Sequence, residues 1–214
     1  MRVLGLFSAF IFSTLMPAFA AIADIAEHPL CPLVQHQVRV DLEERELDID
    51  LAISRSNAAE AIFSLADELW KDELIERLRY LAIKHEKDVS ALQVQRRRLL
   101  LERQKAKRDV YSRYCAVSGD GRAARIDEAQ RRYEQADCHR IGKDLAIAEV
   151  DLVYLKEVLT SVTDLRENDV ATRDDVIEAE KNVERARQRV EHHSPRVQAC
   201  IDSGVAAGDG SPQG

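Results

Sequence analysis

The stretch DLRENDVATRDDVIEAE, from Asp164 to Glu180, interrupts a regular helical pattern for about five residues and then lets it resume. On both sides of it, apolar residues recur in steps of four and three, which places their side chains along one stripe of a helix that packs on another helix. The stretch therefore predicts the tip of an antiparallel helical hairpin. The two stripes are Ile141, Leu145, Ala148, Leu152, Leu155, Leu159 and Val162 before it, and Val176, Ala179, Val183, Ala186, Val190, His193 and Val197 after it.

The end of this stretch carries the signals of a helix start. Thr172 precedes Asp175 by three residues, the spacing of a capping box, in which the hydroxyl accepts an otherwise unpaired backbone N–H. The carboxylates of Asp174 and Asp175 stand where the helix dipole is positive. Residues 167–171 are thus predicted to form a tight turn between two helices.

The cysteines of the second half support the same hairpin. Cys138 lies 31 residues before Asp169 and Cys200 lies 31 residues after it, so a chain that turns at Asp169 brings the two together. Both cysteines also continue the apolar stripes. At 1.5 Å per residue each arm is about 46 Å long. In an exported protein, two thiols on facing stripes predict a disulfide.

The first half repeats this arrangement less regularly. Cys31 and Cys115 each lie 42 residues from Glu73, within a segment similar in character to the quoted stretch. A turn near Glu73 is predicted, with one continuous helix through Trp70 as the alternative. An offset of 97 residues aligns Asp72 with Asp169 and hints at an internal repeat. The apolar stripes predicted here are Leu47, Leu51, Ala58, Ile62, Leu65 and Leu69 before the turn, and Leu74, Leu78, Leu81, Val89, Leu92 and Leu99 after it.

Four cysteines allow three disulfide connectivities. The two predicted hairpins favour the pairing of Cys31 with Cys115 and of Cys138 with Cys200, which closes the base of each hairpin. The nested alternative joins Cys31 to Cys200 and Cys115 to Cys138.

The first 20 residues, MRVLGLFSAFIFSTLMPAFA, are typical of a secretory signal peptide: one basic residue, an apolar run and an Ala-Phe-Ala cleavage site. The apolar run is shorter than the roughly 20 residues that span a bilayer. The mature chain is therefore expected to be periplasmic or secreted, without a membrane span of its own.

The positions of Pro and Gly, which interrupt helices, indicate how the rest of the chain is divided. From Leu33 to Ser118 there is neither Pro nor Gly, which is hard to reconcile with a sheet. The predicted organisation is all-α: a signal peptide over 1–20, a first hairpin over 21–117, a linker over 118–122, a second hairpin over 123–203 and a disordered tail over 204–214. The helices are expected to form elongated antiparallel coiled coils.

Charge and composition exclude several function classes. Without the signal peptide, 30 Lys and Arg (31 less Arg2) stand against 38 Asp and Glu, a balance of −8 that argues against nucleic-acid binding. Adjacent His192 and His193 do not chelate a metal as a pair at i and i+4 would. We find no phosphate loop, nucleophile elbow or paired carboxylates, so no enzyme activity, cofactor or metal is expected.

The second turn resembles the periplasmic tip of TolC-type outer-membrane efflux proteins. Their tips follow the pattern small-Ala/Ser-Ser/Thr-x-x-Asp-Val, then x-x-Ala-Glu, and this chain has VATRDDV over 170–176 followed by Glu178-Ala179-Glu180. The resemblance extends over roughly residues 145–190, and over the first hairpin in outline. It departs at Asn168-Asp169, where the family commonly has Gly, although Asn and Asp tolerate the same left-handed backbone.

This resemblance implies a fold and a partner. The family has two tandem helical hairpins whose tips face a periplasmic adaptor protein, and its β-strands in the outer membrane have no counterpart here. The resemblance therefore implies the periplasmic helical portion alone, with an adaptor or self-association, possibly a trimer, as the partner. The alternative is a free-standing periplasmic helical chaperone or spacer protein. The candidate contact residues at the two tips are Trp70, Asp72, Glu73, Asp169, Val170 and Thr172.

Overall fold

The computed structural model describes residues 31–116 and 122–205. Both ranges are helical and contain no strand, which confirms the predicted all-α class and the four long helices. The predicted signal peptide, and most of the predicted linker and tail, lie outside the described residues. The apolar runs of the described helices are too short or too interrupted by charge to cross a bilayer. The helices are α1 (Cys31–Lys71), α2 (Arg77–Ala116), α3 (Arg122–Glu167) and α4 (Arg173–Asp202).

The four helices lie side by side in one row. Among the described residues α1 contacts α2, α2 contacts α3 and α3 contacts α4, whereas α1 and α4 do not meet. Successive helices run in opposite directions, since Asp67 and Tyr80 meet at one end of the first pair while Cys31 and Cys115 meet at the other. Helices α1 and α4 are therefore the two edges of the row.

Both disulfides have the predicted pairing. Cys31 is bonded to Cys115 and Cys138 to Cys200, each with 5.7 Å between the Cα atoms. This pairing excludes the nested alternative and supports two helical hairpins. Helix α1 ends at Lys71, so the chain does not continue through Trp70 as one helix into α2. The first disulfide joins the first residue of α1 to the last turn of α2. The second joins the last turn of α4 to the middle of α3.

Helix α1 packs on α2 through a row that combines branched apolar residues, two aromatic residues and four small residues. The row advances in steps of four and three, and its alanines allow the two backbones to approach closely. Val38, Leu42 and Ile49 form a cluster with Leu101 of α2. The row consists of Val38, Leu42, Arg45, Ile49, Ala52, Ser56, Ala59, Phe63, Ala66 and Trp70.

The stripe predicted for α1 was wrong. Helix α1 carries two apolar rows, and the predicted stripe is the one that does not pack on α2. Leu47 and Leu51 of this stripe are 69 % and 50 % exposed, and Leu69 is its half-buried member. The stripes predicted for α3 and α4 are buried or half-buried, as expected.

A series of ion pairs joins the two hairpins along α2 and α3. As the α2 partner advances from residue 77 to residue 113, the α3 partner falls back from residue 164 to residue 128. Helix α2, which carries 12 Lys and Arg against 4 Asp and Glu, supplies the basic residue in every pair of the series except Asp109–Arg132. The series consists of Arg77–Asp164, His85–Asp151, Arg96–Asp144, Arg103–Asp137, Asp109–Arg132 and Arg113–Glu128.

The two disulfides are expected to contribute separately to stability. They close loops with sequence separations of 84 and 62 residues, for which the chain-entropy model gives about 4 to 5 kcal/mol each. The paired substitutions C31S/C115S and C138S/C200S should each lower the free energy of unfolding by about this amount, as measured by urea denaturation followed by circular dichroism. If neither pair changes the unfolding midpoint, the bonds do not constrain the unfolded chain.

Candidate functional site

The two hairpin turns lie next to each other at one end of the row. Helices α2 and α3 are antiparallel and in register, so the turn before α2 and the turn after α3 come to the same end. The guanidinium of Arg77 and the carboxylate of Asp164, one beside each turn, are 3.6 Å apart. We call residues 70–77 and 164–172 together the tip surface.

The first turn ends α1 with a Schellman motif. The backbone N–H of Leu74 donates to the carbonyl of Leu69 and that of Glu73 donates to Trp70. Glu73 adopts the left-handed conformation, with φ 58°. These two hydrogen bonds pair the carbonyls of Leu69 and Trp70, which the end of the helix would otherwise leave without a partner. They also reverse the direction of the chain, so that α2 runs back along α1.

The second turn has the same geometry. Val170 N–H donates to Leu165, Asp169 N–H donates to Arg166, and Asp169 takes φ 61°. The side-chain amide of Asn168 adds a hydrogen bond to the carbonyl of Asp164. The two turns correspond at an offset of 96 residues rather than the predicted 97, so that Glu73, and not Asp72, is the counterpart of Asp169.

Each turn presents one apolar side chain to solvent. Leu74 and Val170 follow the left-handed residue in their respective motifs and are 69 % and 71 % exposed. Sequence reasoning singled out Val170 but placed Leu74 on the packed stripe of α2. Because rigid backbone bonds hold both residues, the tip surface offers two apolar positions of fixed geometry.

Trp70 closes the first hairpin and stays partly exposed. Its ring stacks on that of Tyr80 with 5.0 Å between centroids, while the Tyr80 hydroxyl donates to Asp67. The ammonium of Lys71 lies 2.6 Å from Asp67, and this hydrogen bond is the main reason that the pKa of the Asp67 carboxyl lies below its usual value. With 37 % of its surface exposed, Trp70 both packs the end of the helix pair and remains reachable from solvent.

Thr172 begins α4 with the predicted capping box. Its hydroxyl accepts from the backbone N–H of Asp175, and the Asp175 carboxylate accepts from the hydroxyl and from the backbone N–H of Thr172. These bonds to the charged form lower the pKa of the Asp175 carboxyl, with the hydroxyl contributing most. Thr172 is thus held in a structural role, which leaves Val170 as the outward-facing residue of this turn.

The predicted contact residues all lie in the tip surface and are exposed. The exposed carboxylates of Asp72, Glu73 and Asp169 lie within two residues of Leu74 or Val170 in sequence. The exposed cations closest to them in sequence are Lys71, which pairs with Asp67, and Arg166. Tyr80, which orients Trp70, was missed, because only the antiparallel pairing places it opposite a residue ten positions earlier.

Two shallow grooves lie along the α2–α3 pair. One is lined by His85, Tyr154 and Val153 among others, and its His85 ring stacks on Tyr154 while its Nε2 lies 2.8 Å from Asp151. The second contains Arg96 and Asp144, which pair with each other. Within residues 31–116 and 122–205, no three His, Cys, Asp or Glu side chains cluster as metal ligands would.

Comparison of the chain with protein-family models, with curated proteins and with solved structures gave no match.

The capping box predicts a measurable shift in one carboxyl. In the folded protein Asp175 should titrate below the 3.8 of an unperturbed aspartate, so its stabilising effect is present above that pH and is lost as the pH falls through the lowered value. Thr172→Ala should return the pKa toward 3.8, as followed by carboxyl NMR. Thr160→Ala, which removes a threonine hydroxyl from the exposed side of α3, is the control and should leave Asp175 unchanged. An unshifted Asp175 in the unmodified chain would contradict the box.

The left-handed residue of the first turn predicts a stabilising substitution. A glutamate at φ 58° strains its Cβ against the following carbonyl, so Glu73→Gly should raise the free energy of unfolding by about 1 kcal/mol. Glu68→Gly, five residues earlier inside α1, should lower it by about 1 kcal/mol. Urea denaturation of the two variants tests the pair. Equal destabilisation by both would mean that the turn after Lys71 is not left-handed.

Proposed function

We propose that this chain is an exported, non-enzymatic helical protein of the cell envelope that binds protein partners through its tip surface. In this proposal it resembles the periplasmic helical portion of TolC-type efflux proteins. The observation that carries the proposal is the side-by-side placement of the two turns, each with an exposed apolar residue, Leu74 and Val170, on a rigid backbone.

The chemistry of the tip surface defines the partner. Leu74, Val170 and the partly exposed indole of Trp70 provide apolar contact. Tryptophan is enriched among the residues that contribute most of the binding energy in protein interfaces. The exposed carboxylates of Asp72, Glu73 and Asp169 lie within two residues of Leu74 or Val170 in sequence. A partner with a small apolar end and basic residues around it complements this surface, and we propose the tip of a second helical hairpin, such as that of a periplasmic adaptor, as this partner.

Two features support the proposed compartment and mechanism. Disulfides persist in oxidising compartments, which favours the periplasm or the exterior over the cytosol. The steps of four and three along α1, α3 and α4 favour coiled-coil packing, so the chain acts by stiff helix pairs that carry the tip to its partner. A thin row of helices offers little concavity for a substrate, which supports a role without catalysis.

The alternative is a free-standing helical chaperone or spacer. One observation favours it: the exposed apolar row of α1, which includes Leu47 and Leu51, is a surface on which an unfolded client would bind. In that case binding depends on the side of the row and not on its tip.

The test is cross-linking in the envelope from a photoreactive residue at position 170. We expect capture of one defined envelope protein, and its loss in the variant Leu74→Glu with Trp70→Ala, because a buried charge and a missing ring remove the apolar contact. Val153→Glu is the matched control, since Val153 is 59 % exposed on α3 and lies away from both turns.

Circular dichroism distinguishes loss of contact from loss of fold. Capture that persists in the tip variant would contradict binding through the tip surface. Capture of many unfolded chains from α1 positions, with none from position 170, would favour the chaperone instead.

A further inference from the structure

The large apolar side chains that the described residues leave exposed are concentrated in one row on α1. It lies roughly 140° round the helix from the face that packs on α2. Because α1 is an edge of the row of helices, no other described helix covers it. Its exposed members are Leu33, Val40, Leu47, Leu51, Ala58, Ile62 and Leu65.

The spacing within this row reads the same in both directions. From Leu33 the positions advance by seven, seven, four, seven and seven residues, through Val40, Leu47, Leu51 and Ala58 to Leu65. A helix with such a pattern is complementary to itself when turned end for end, because each of these six residues then meets another of the six. Ile62, the seventh exposed member of the row, comes opposite His36. The midpoint of the pattern is residue 49.

We infer that α1 binds α1 of a second copy in antiparallel orientation, about a two-fold axis near residue 49. In this register Leu47 faces Leu51 of the second copy, Val40 faces Ala58 and Leu33 faces Leu65. The symmetry repeats every contact, as an isologous interface requires.

The charges beside the row fit this register. Glu44 and Arg55 lie on the same flank of the row and are both exposed. Their numbers place them almost equally far from residue 49, so Glu44 of one copy comes opposite Arg55 of the other, twice in the dimer. In an antiparallel pair, flanks on the same side meet, and opposite charges there select the partner.

The other edge of the row of helices cannot supply the same contact. On α4 the exposed residues are mostly charged, and Ile201 at its end is the large apolar side chain that stays open. A head-to-tail ring, in which α1 of one copy meets α4 of the next, would leave the apolar row against charged groups. Self-association through α1 therefore gives a closed dimer and not the trimer that the family resemblance implies.

The length of the row gives an estimate of the area that the dimer would bury. From Leu33 to Leu65 the row is about 48 Å long, and a strip one helix wide covers roughly 500 Å² on each copy. The total of about 1,000 Å² is near the lower limit for a specific interface. In the dimer the two tip surfaces should point in opposite directions, about 72 Å apart.

Sedimentation equilibrium of the oxidised mature chain tests the inference over a concentration series. We expect the mass of two copies, and a dissociation constant at least about 100-fold weaker in L47E/L51E, because two carboxylates per copy would enter the apolar strip. Val153→Glu on α3 is the matched control and should leave the dimer unchanged. A monomer or a trimer in the unmodified chain, or a dimer unaffected by L47E/L51E, would overturn the inference.

The antiparallel register of the two α1 helices is tested separately by exchanging the charges of Glu44 and Arg55. Glu44→Arg and Arg55→Glu should each weaken the dimer by roughly 3- to 10-fold, and the double variant E44R/R55E should return it to the unmodified strength. Absence of restoration would overturn the antiparallel register. Neither residue lies in the tip surface, so loss of the dimer leaves partner capture at position 170 as a separate measurement.

Discussion

The antiparallel pairing of α2 with α3 is the contact on which the rest of the architecture depends. Each hairpin is closed within itself by a turn and a disulfide, but only this pairing places the two turns at one end. Most of the ion pairs along it are partly exposed, and such pairs contribute little individually. Asp144 is the most buried of their carboxylates, and it is bound by both Arg96 and Arg140. The series therefore fixes register more than it adds stability.

Within each hairpin the sequence predicted the larger features well. The turn at Asp169, the capping box at Thr172 and both disulfides follow from local spacing and from equal distances along the chain. These features depend on residues near each other in sequence or on simple doubling back, so no knowledge of the third dimension is needed. The same reasoning located the first turn, although Glu73 is an unusual residue for a left-handed position.

Two features were not predictable in the same way. The α2–α3 pairing joins helices separated by a linker, and its signal is the excess of cations on α2, which equally suits a solvent-exposed helix. On α1 two apolar rows compete, and hydrophobicity alone favoured the row with Leu47 and Leu51. Close packing favoured the other row, because Ala52, Ala59 and Ala66 let the helix axes approach.

The placement of the disulfides determines which end of the helices separates first when the protein is reduced. Both turns are held by backbone hydrogen bonds at the tip, while Cys31 and Cys115 lie 42 residues away, at the opposite end of the first hairpin. When the cystines are reduced, the arms lose their covalent link at the end where no turn connects them. Fraying then proceeds from that end, so proteases should first cleave near Cys31 and Cys115, and the tip should be the last part of a reduced molecule to unfold.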